Sequence, residues 1–397
     1  MAFLPTAFHR LLEPLDRRVM RWIVEAHDGD RGVGQGAQAW TCVRHLKTLL
    51  FAQFADLASL REIEQALAAR PAALYHRDLR PPRRATLSDA SARRPAAVFR
   101  DICGHLMGGA ARRPRAEGAA LIRLLDASPI PLKDGRFGWV EAVSRLRGLK
   151  LHLLYDPDAV EPLRFAVTSP KCSDIEAARP LPLEAGATYV FDKAYTDYAW
   201  WQHIHQADAL FITRLKRNAR RRDIRARELG QPDREAGILA DRILRIGHKQ
   251  PRGGARNPLY ETDLREVVVE RPDKEPLHLV TNDLRRPAHD IAALYKRRWE
   301  IELFFRWIKQ NLRIKTFLGR SENAVKTQIY VTLIAFILTR CLQRTYAAAF
   351  NGTAKALIDR IATALLCPLD LTNQCKPPPT NPANRTATPQ LTFDLSS

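Results

Sequence analysis

The sequence predicts an α/β fold: a mixed sheet flanked by helices, preceded by an all-helical region. Three observations carry this. Apolar residues recur at helical spacing through the first 110 or so positions. From about residue 119, short β-rich runs alternate with helix-like stretches. Residues 216–275 hold further short β-like pieces between turn residues, which reads as a mostly β insertion.

In the helical region, Leu46, Leu49, Leu50, Phe54 and Leu57 form one buried stripe, and Leu60, Ile63 and Leu67 a second. Pro81-Pro82-Arg83-Arg84 breaks the pattern, and Thr86-Leu87-Ser88-Asp89 reads as the cap of another helix. The composition changes near Arg112-Arg113-Pro114-Arg115. Ala119 to Leu125 is strand-like and ends in Asp126; Leu149–Tyr155 alternates; Leu163–Thr168 is short and β-rich. Tyr189-Val190-Phe191 runs into Asp192, Tyr198–Gln206 is helical, and Leu210–Leu215 and Leu277–Thr281 are buried strands. Within the insertion, Ile243–Ile246 and Val267–Val269 are strand-like. One long helix is expected from about Ala288 to Leu312, with more helix from Glu322 to Gln343. The tail from Pro377 is rich in Pro, Thr and Asn and is expected to be disordered. The expected domains are residues 1–110, 111–350 and 351–397.

The chain has 397 residues, with 63 Lys and Arg against 43 Asp and Glu, a net charge of +20. That excess points to a polyanionic partner, since each neutralised phosphate releases counterions. Six cysteines without a CxxC pair argue against a zinc finger or a disulfide scaffold. There is no secretory leader pattern, and the apolar run Ile329–Leu338 is far below the ~20 residues of a membrane span. The expectation is a cytoplasmic protein with no membrane partner.

The chemistry concentrates in LYKRRWEIELFFRWIKQNLR. At 100° per residue, Tyr295, Arg298, Glu302 and Lys309 share a stripe about 60° wide, beside a core stripe of Leu294, Ile301, Phe305, Ile308 and Leu312. A carboxylate framed by two cations and a phenol suits a site for metal and phosphate. A surface helix laced with Arg–Glu and Glu–Lys pairs would give the same pattern. Asp126 and Asp192 each follow an apolar strand-like run, placing them at a sheet edge where α/β sites form. A turn aspartate is the alternative for either alone. Together with Glu302 they make an oxygen donor set suited to two Mg²⁺ or Mn²⁺ ions.

The spacing Y-x2-R-x3-E-x6-K resembles the Y-R-E-K signature of bacterial insertion-sequence transposases of the IS-four family. LLDAS at the first acid, GLKLHLLYD after it and YVFDKAYTDY at the second are similar to that family too. So are FAQFADLASLREIEQAL and ATLSDASARR in the helical region, and the resemblance spans residues 5 to 345. It implies a ribonuclease H-like fold carrying a DDE triad, with Asp126, Asp192 and Glu302 as catalytic metal ligands for two Mg²⁺ ions. Tyr295, Arg298 and Lys309 would contact DNA phosphates near the cut, and the helical region would bind DNA. Where the family usually has Arg-Gly after the second acid, this chain has Lys193-Ala194, which keeps the charge but not the planar fork.

The run from Arg214 to Arg227 holds eight basic residues and one acid, so Arg214, Lys216 and Arg217 are further candidates for DNA-backbone contact. His203 and His205 fall on an expected surface helix, and His152 in a strand near the first acid; a structural role is favoured for all three. Trp200, Trp201, Trp299 and Trp307 can stack on a base but fit core packing or a surface ridge better. The expected activity is cut-and-paste transposition by a protein at least dimeric on its DNA ends. A metal-dependent nuclease of the same fold and a catalytically silent DNA-binding repressor are the alternatives.

Overall fold

In the computed structural model of the chain, the residues described are 6–34, 36, 39–69, 74, 79–111, 120–132, 135, 137–140, 142–143, 146–251, 255–272, 274–311, 317–345 and 354–365. Two compact units are present: Leu15–Ile337, and a smaller one made of Met1–Pro14 with Leu338–Ser397.

Helices α1 (Ala7–Leu12), α2 (Arg17–Ala26), α3 (Cys42–Phe54), α4 (Leu60–Ala68), α5 (Arg84–Arg93) and α6 (Ala96–Ala111) come first. The stripe read from sequence is what α3 buries, since Leu46, Leu49, Leu50 and Phe54 all lie inside. Its start is fixed by Thr41, whose hydroxyl accepts from Arg44 N–H. Ser59 caps α4 in the same way, and Ile63 and Leu67 are its buried residues. Thr86 to Asp89 lie inside α5 rather than capping it, and Arg83 is the N-cap without a side-chain bond. The two prolines hold the chain extended, and the helix begins just after them. The expected boundary at Arg112–Arg115 lies outside the described residues, as does the tail from Pro377. Among the described residues, Cys42, Cys103, Cys172 and Cys341 are in no disulfide.

The strands are β1 (Leu121–Pro131), β2 (Ala142–Val143), β3 (Leu146–Asp156), β4 (Glu161–Thr168), β5 (Ala187–Val190), β6 (Leu210–Arg214), β7 (Arg221–Ala226), β8 (Ile238–Ile246), β9 (Leu264–Val269) and β10 (Leu277–Thr281). Among them run α7 (Asp174–Ala178), α8 (Tyr198–Gln206) and α9 (Gln231–Glu235). After them come α10 (Ala288–Lys296), α11 (Trp299–Asn311), α12 (Glu322–Thr345) and α13 (Ala354–Ala364). Among the described residues the strands form one ten-stranded sheet, β2-β3-β1-β5-β6-β10-β9-β8-β7, with β4 also on β3. Strands β5 and β6 run parallel to β1, while β3 is antiparallel to both β1 and β4. The part β4-β3-β1-β5-β6 is a mixed sheet, as the sequence predicts. The β insertion extends this sheet: β10 pairs β6, and β9, β8 and β7 follow in antiparallel order.

The buried set on this sheet includes Leu125, Leu154, Tyr189, Phe191, Trp201 and Phe211. Trp200 and Trp201 therefore serve the core, and the Trp201 indole N–H donates to Tyr195 O. Helix α6 packs on β4, and Ala96 N–H donates to the Asn323 side chain, so α2 to α6 and the sheet share one unit. By length and composition α12 could cross a membrane, but 83% of its apolar window is buried inside the fold, the position of a core helix.

The expected single helix at 288–312 is two. Around Arg297 and Arg298 the hydrogen bonds tighten to three-residue turns: Arg297 N–H donates to Leu294 O as well as Ala293 O, and Arg298 N–H to Tyr295 O. Arg297 then grips Asp158 (2.8 Å) and Glu300 (2.8 Å), fixing the entry to α11. Leu312 lies outside the described residues. Helix α11 packs on β1, and buries Ile301, Phe304, Phe305 and Ile308, with the Phe304 ring 5.0 Å from that of Tyr155 on β3.

Candidate active site

Asp126 and Asp192 occupy one level of the sheet. The parallel register of β1 and β5 ends at Leu124 opposite Val190, and each aspartate lies two residues further on. Two residues is one pleat repeat, so both continue on the face of that last pair. Asp126 does not end its strand, as sequence predicted. β1 continues to Pro131 because β3 goes on pairing with it, from Asp126 opposite Leu153 to Pro131 opposite Gly148. Asp192 does follow its strand, and its carboxylate accepts from Ala194 N–H (2.7 Å), capping a 3-10 turn at Lys193–Tyr195.

Glu302, in the first turns of α11, is tied to Asp126 through one side chain. The Arg298 guanidinium bonds to Glu302 Oε1 and lies 3.5 Å from Asp126 Oδ2. Burial pushes the Asp126 carboxyl up to about 6. Ala127 N–H and Arg298 oppose this, and the charges of Asp192 and Glu302 add to it. Burial disfavours the Arg298 charge, but Glu302, Tyr295 and Asp126 outweigh it and raise its pKa. Tyr295 is buried; burial raises its phenol, Arg298 and Arg214 lower it, and Asp192 raises it. Asp126, Asp192, Tyr295, Arg298, Glu302 and Arg214 thus form one interacting group. Arg214 is half-buried at the end of β6, and its Nε has no hydrogen-bond partner.

Lys309 reaches the same sheet. Its ammonium donates to Ser128 Oγ at 2.6 Å, and Ser128 is two residues past Asp126 on β1, on the same face. The helical projection from Tyr295 to Lys309 crosses the α10–α11 turn, so the stripe is not one straight helix face. Glu302 and Lys309 are both on α11, about 10.5 Å apart along the axis at 1.5 Å per residue.

The other candidates are less gathered. Lys193 is exposed beside Asp192, and Lys216 is half-buried past β6. Arg217 is exposed and paired with Glu275. Every residue of β7 is exposed, and Arg221 and Arg227 pair with Glu266 and Asp241. His152 bonds Thr168 Oγ1 (2.9 Å), and burial pushes its pKa down to about 4. His203 and His205 are exposed on α8. Trp299 is 46% exposed, with the Arg306 guanidinium 5.8 Å from its ring centroid, and Trp307 packs edge-on to Phe336. Ser128 and Arg297 are the residues sequence reasoning passed over. Parity placed Ser128 on the face of Asp126, but its partner is far away in the chain.

An all-carboxylate donor set fits a hard divalent cation. As the side chains stand, no group of three or more His, Cys, Asp or Glu among the described residues closes into a metal cluster. The Arg298 guanidinium bridges Asp126 and Glu302 instead.

Two acids at one level of the mixed sheet, a helix acid and nearby cations fit a class of enzyme that acts on nucleic-acid phosphates. Residues 117–338 match the Transposase DDE domain family, and the chain belongs to that family of DNA-cleaving and strand-transferring enzymes, which use divalent metal ions. Residues 5–77 match the Domain of unknown function (DUF4372). A protein named as a transposase, y4zB of Sinorhizobium fredii, is 40% identical over 304 residues, 75% of this chain and 82% of that protein. A protein named as the transposase for insertion sequence element IS5377 of Geobacillus stearothermophilus is 28% identical over 56% of each chain. A third, named for element IS4SA of Synechocystis, is 32% identical over 83 residues, 19% of this chain and 25% of that protein. Among solved structures, a piggyBac transposase synaptic complex with hairpin DNA aligns at 11% identity and TM-score 0.48, covering 95% of this chain and 82% of that one.

Proposed function

We propose that this transposase moves its own insertion sequence by cut and paste, with Asp126, Asp192 and Glu302 as its metal-binding catalytic acids. The observation that carries the reading is the placement of the acids. Asp126 and Asp192 share one level of adjacent parallel strands, and Arg298 bonds Glu302 beside Asp126. These carboxylates would hold two Mg²⁺ ions, with Mn²⁺ as substitute. When bound, the metal pair lowers the cost of forming an oxygen nucleophile and steadies the leaving oxygen.

The chain's own residues do the rest. Arg298 bridges two of the acids, and its planar guanidinium would meet a DNA phosphate brought beside them. Lys309, steered by Ser128, lies a phosphate spacing or more away along the bound strand. Tyr295, Arg214, Lys193, Lys216 and Arg217 line the approach to the acids or flank it. Each step is an in-line displacement at phosphorus. Water first cuts the strand at the element's end, and the freed 3′-hydroxyl attacks the opposite strand to close a hairpin. After the hairpin opens, the 3′-ends attack target DNA. Two ends act together, which calls for a dimer in the synapse. The helical region at 1–110 serves as a DNA-binding domain.

The test is an assay with end-bearing DNA, a target plasmid and Mg²⁺. Joined products are expected from the native chain. Cuts without joining would make it a nuclease, and binding without cuts a repressor. Asp126→Asn, Asp192→Asn and Glu302→Gln should each abolish cleavage while end binding persists. A variant that cuts at near native rate removes that residue from the triad.

A further inference from the structure

Helix α2 leads into a glycine-rich loop that lies, with Ala39 and Trp40 ahead of α3 and with α5 and its C-terminal end, around a cavity of about 670 Å³. Arg31, Trp40, Arg93, Arg94, Asp28 and Asp89 are among its lining. This is not the DDE site: it belongs to the helical region.

Two of these side chains are unusual. Arg94 is only 7% exposed, yet among the described residues it makes no ion pair; its guanidinium donates to Thr41 O at 2.7 Å. A buried guanidinium without a carboxylate is costly, and such groups ordinarily meet an anion. Burial accordingly lowers its pKa. Asp30, an acid near it, is engaged with Cys42 N–H at 2.6 Å. The second is Trp40, whose indole Nε1 is buried and has no hydrogen-bond partner. An indole nitrogen is only a donor, so what it lacks is an acceptor. Both unmet demands are for the same thing.

The rest of the lining agrees. Arg93 is neutralised by Asp89 (2.8 Å). Arg31 is exposed and makes no ion pair among the described residues, which leaves two cations against Asp28. Nothing lies within 4 Å of where a Cβ would stand on Gly32 or Gly34, so the loop backbone is open to a close ligand.

We propose that this cavity is a phosphate-binding site, in which Arg94 and the Trp40 indole N–H grip the anion and Arg31 closes the rim, and that the phosphate is one of the DNA backbone. A phosphodiester has one negative charge and two free oxygens, so it can meet both a guanidinium and an indole N–H. The DNA part rests on the transposase reading; the phosphate part does not.

The experiment uses the full chain with Trp40→Phe, Arg31→Gln and Arg94→Met. Trp40→Phe removes the N–H and keeps an aromatic ring, and Arg31→Gln is on the surface, so both decide the matter if Arg94→Met fails to fold. Melting in inorganic phosphate is compared with melting in chloride at equal ionic strength, and affinity for a 20-base-pair duplex is followed against salt. The native chain should melt higher in phosphate, and the variants should lose that gain. Their DNA affinity should fall about tenfold, with a salt slope shallower by about one. Native phosphate response, affinity and slope in Trp40→Phe and Arg31→Gln would overturn the proposal. Loss of the phosphate response alone, with native DNA binding, would overturn the DNA source and leave a site for free phosphate. A native chain that responds to phosphate but binds no DNA would refute the transposase reading and not the site.

Discussion

Arg298 touches both Asp126 and Glu302, and that single residue marks how far the sequence can be read at this scale. The Arg298–Glu302 contact is an i,i+4 pair and follows from local spacing. The contact to Asp126 does not, because it depends on α11 packing against β1. The same limit explains Ser128 and Lys309, the buried Arg94 guanidinium without an ion pair among the described residues, and the partnerless Trp40 indole N–H. Buried histidines carry a further residue-scale consequence. His45 is fully buried against Phe99 and bonded to Ser91, and burial pushes its pKa down to about 3. The folded chain therefore refuses a proton that the unfolded chain accepts near pH 6.5. The stability this gives is whole above 6.5 and is lost as pH falls toward 3. Between pH 6.5 and 5 the loss amounts to about 2 kcal/mol, at 1.36 kcal/mol per unit. His45→Gln keeps a polar group for Ser91 and does not titrate, so its stability should be flatter over that range. Parallel urea-melt profiles for the two chains would show that His45 is not the titrating group.

At the scale of elements, the helical stripes of α3 and α4 and the buried strands β5, β6 and β10 were legible because side-chain period alone defines them. Three boundaries were not. β1 outruns its predicted end because a distant strand keeps pairing with it, α5 starts at the prolines rather than at Thr86, and α10 and α11 are split by a tight turn that Arg297 pins to Asp158. The long overlap of β1 and β3 has a sensitive point. A Cβ on Gly148 would stand 2.1 Å from Ile130 O, a backbone atom that cannot rotate away. Gly148→Ala must push the two strands apart at the end of the pairing that carries Ser128. A loss of roughly 1–3 kcal/mol is expected, the usual range for overpacking. Urea unfolding measures it, and an unchanged midpoint would mean that the strands separate there without cost.

For the whole molecule, the charge excess and the carboxylate site make separable contributions. The excess of 63 basic over 43 acidic residues is spread along the chain, whereas cleavage is assigned to three acids. Composition made the polyanion partner legible; which cations face it was not, since several in the Arg214–Arg227 run are spent on Glu266, Glu275 and Asp241. Affinity for end DNA should therefore fall steeply with salt, its slope counting the phosphates neutralised. Asp126→Asn removes one negative charge and no cation, so it should keep the native slope while cutting nothing. Arg298→Gln should act on the other quantity, lowering the slope by about one if its guanidinium meets a phosphate in the complex. It also leaves Asp126 and Glu302 without the cation between them, so weaker cutting should accompany the shallower slope. If Arg298 only pairs with its neighbouring acids, the slope stays native and the loss appears as stability instead, since Asp126 and Glu302 are left largely buried without their cation. Salt-dependent affinity and cleavage measured on the native chain and these two variants separate the cases, and a native slope in Arg298→Gln would remove Arg298 from the DNA contact.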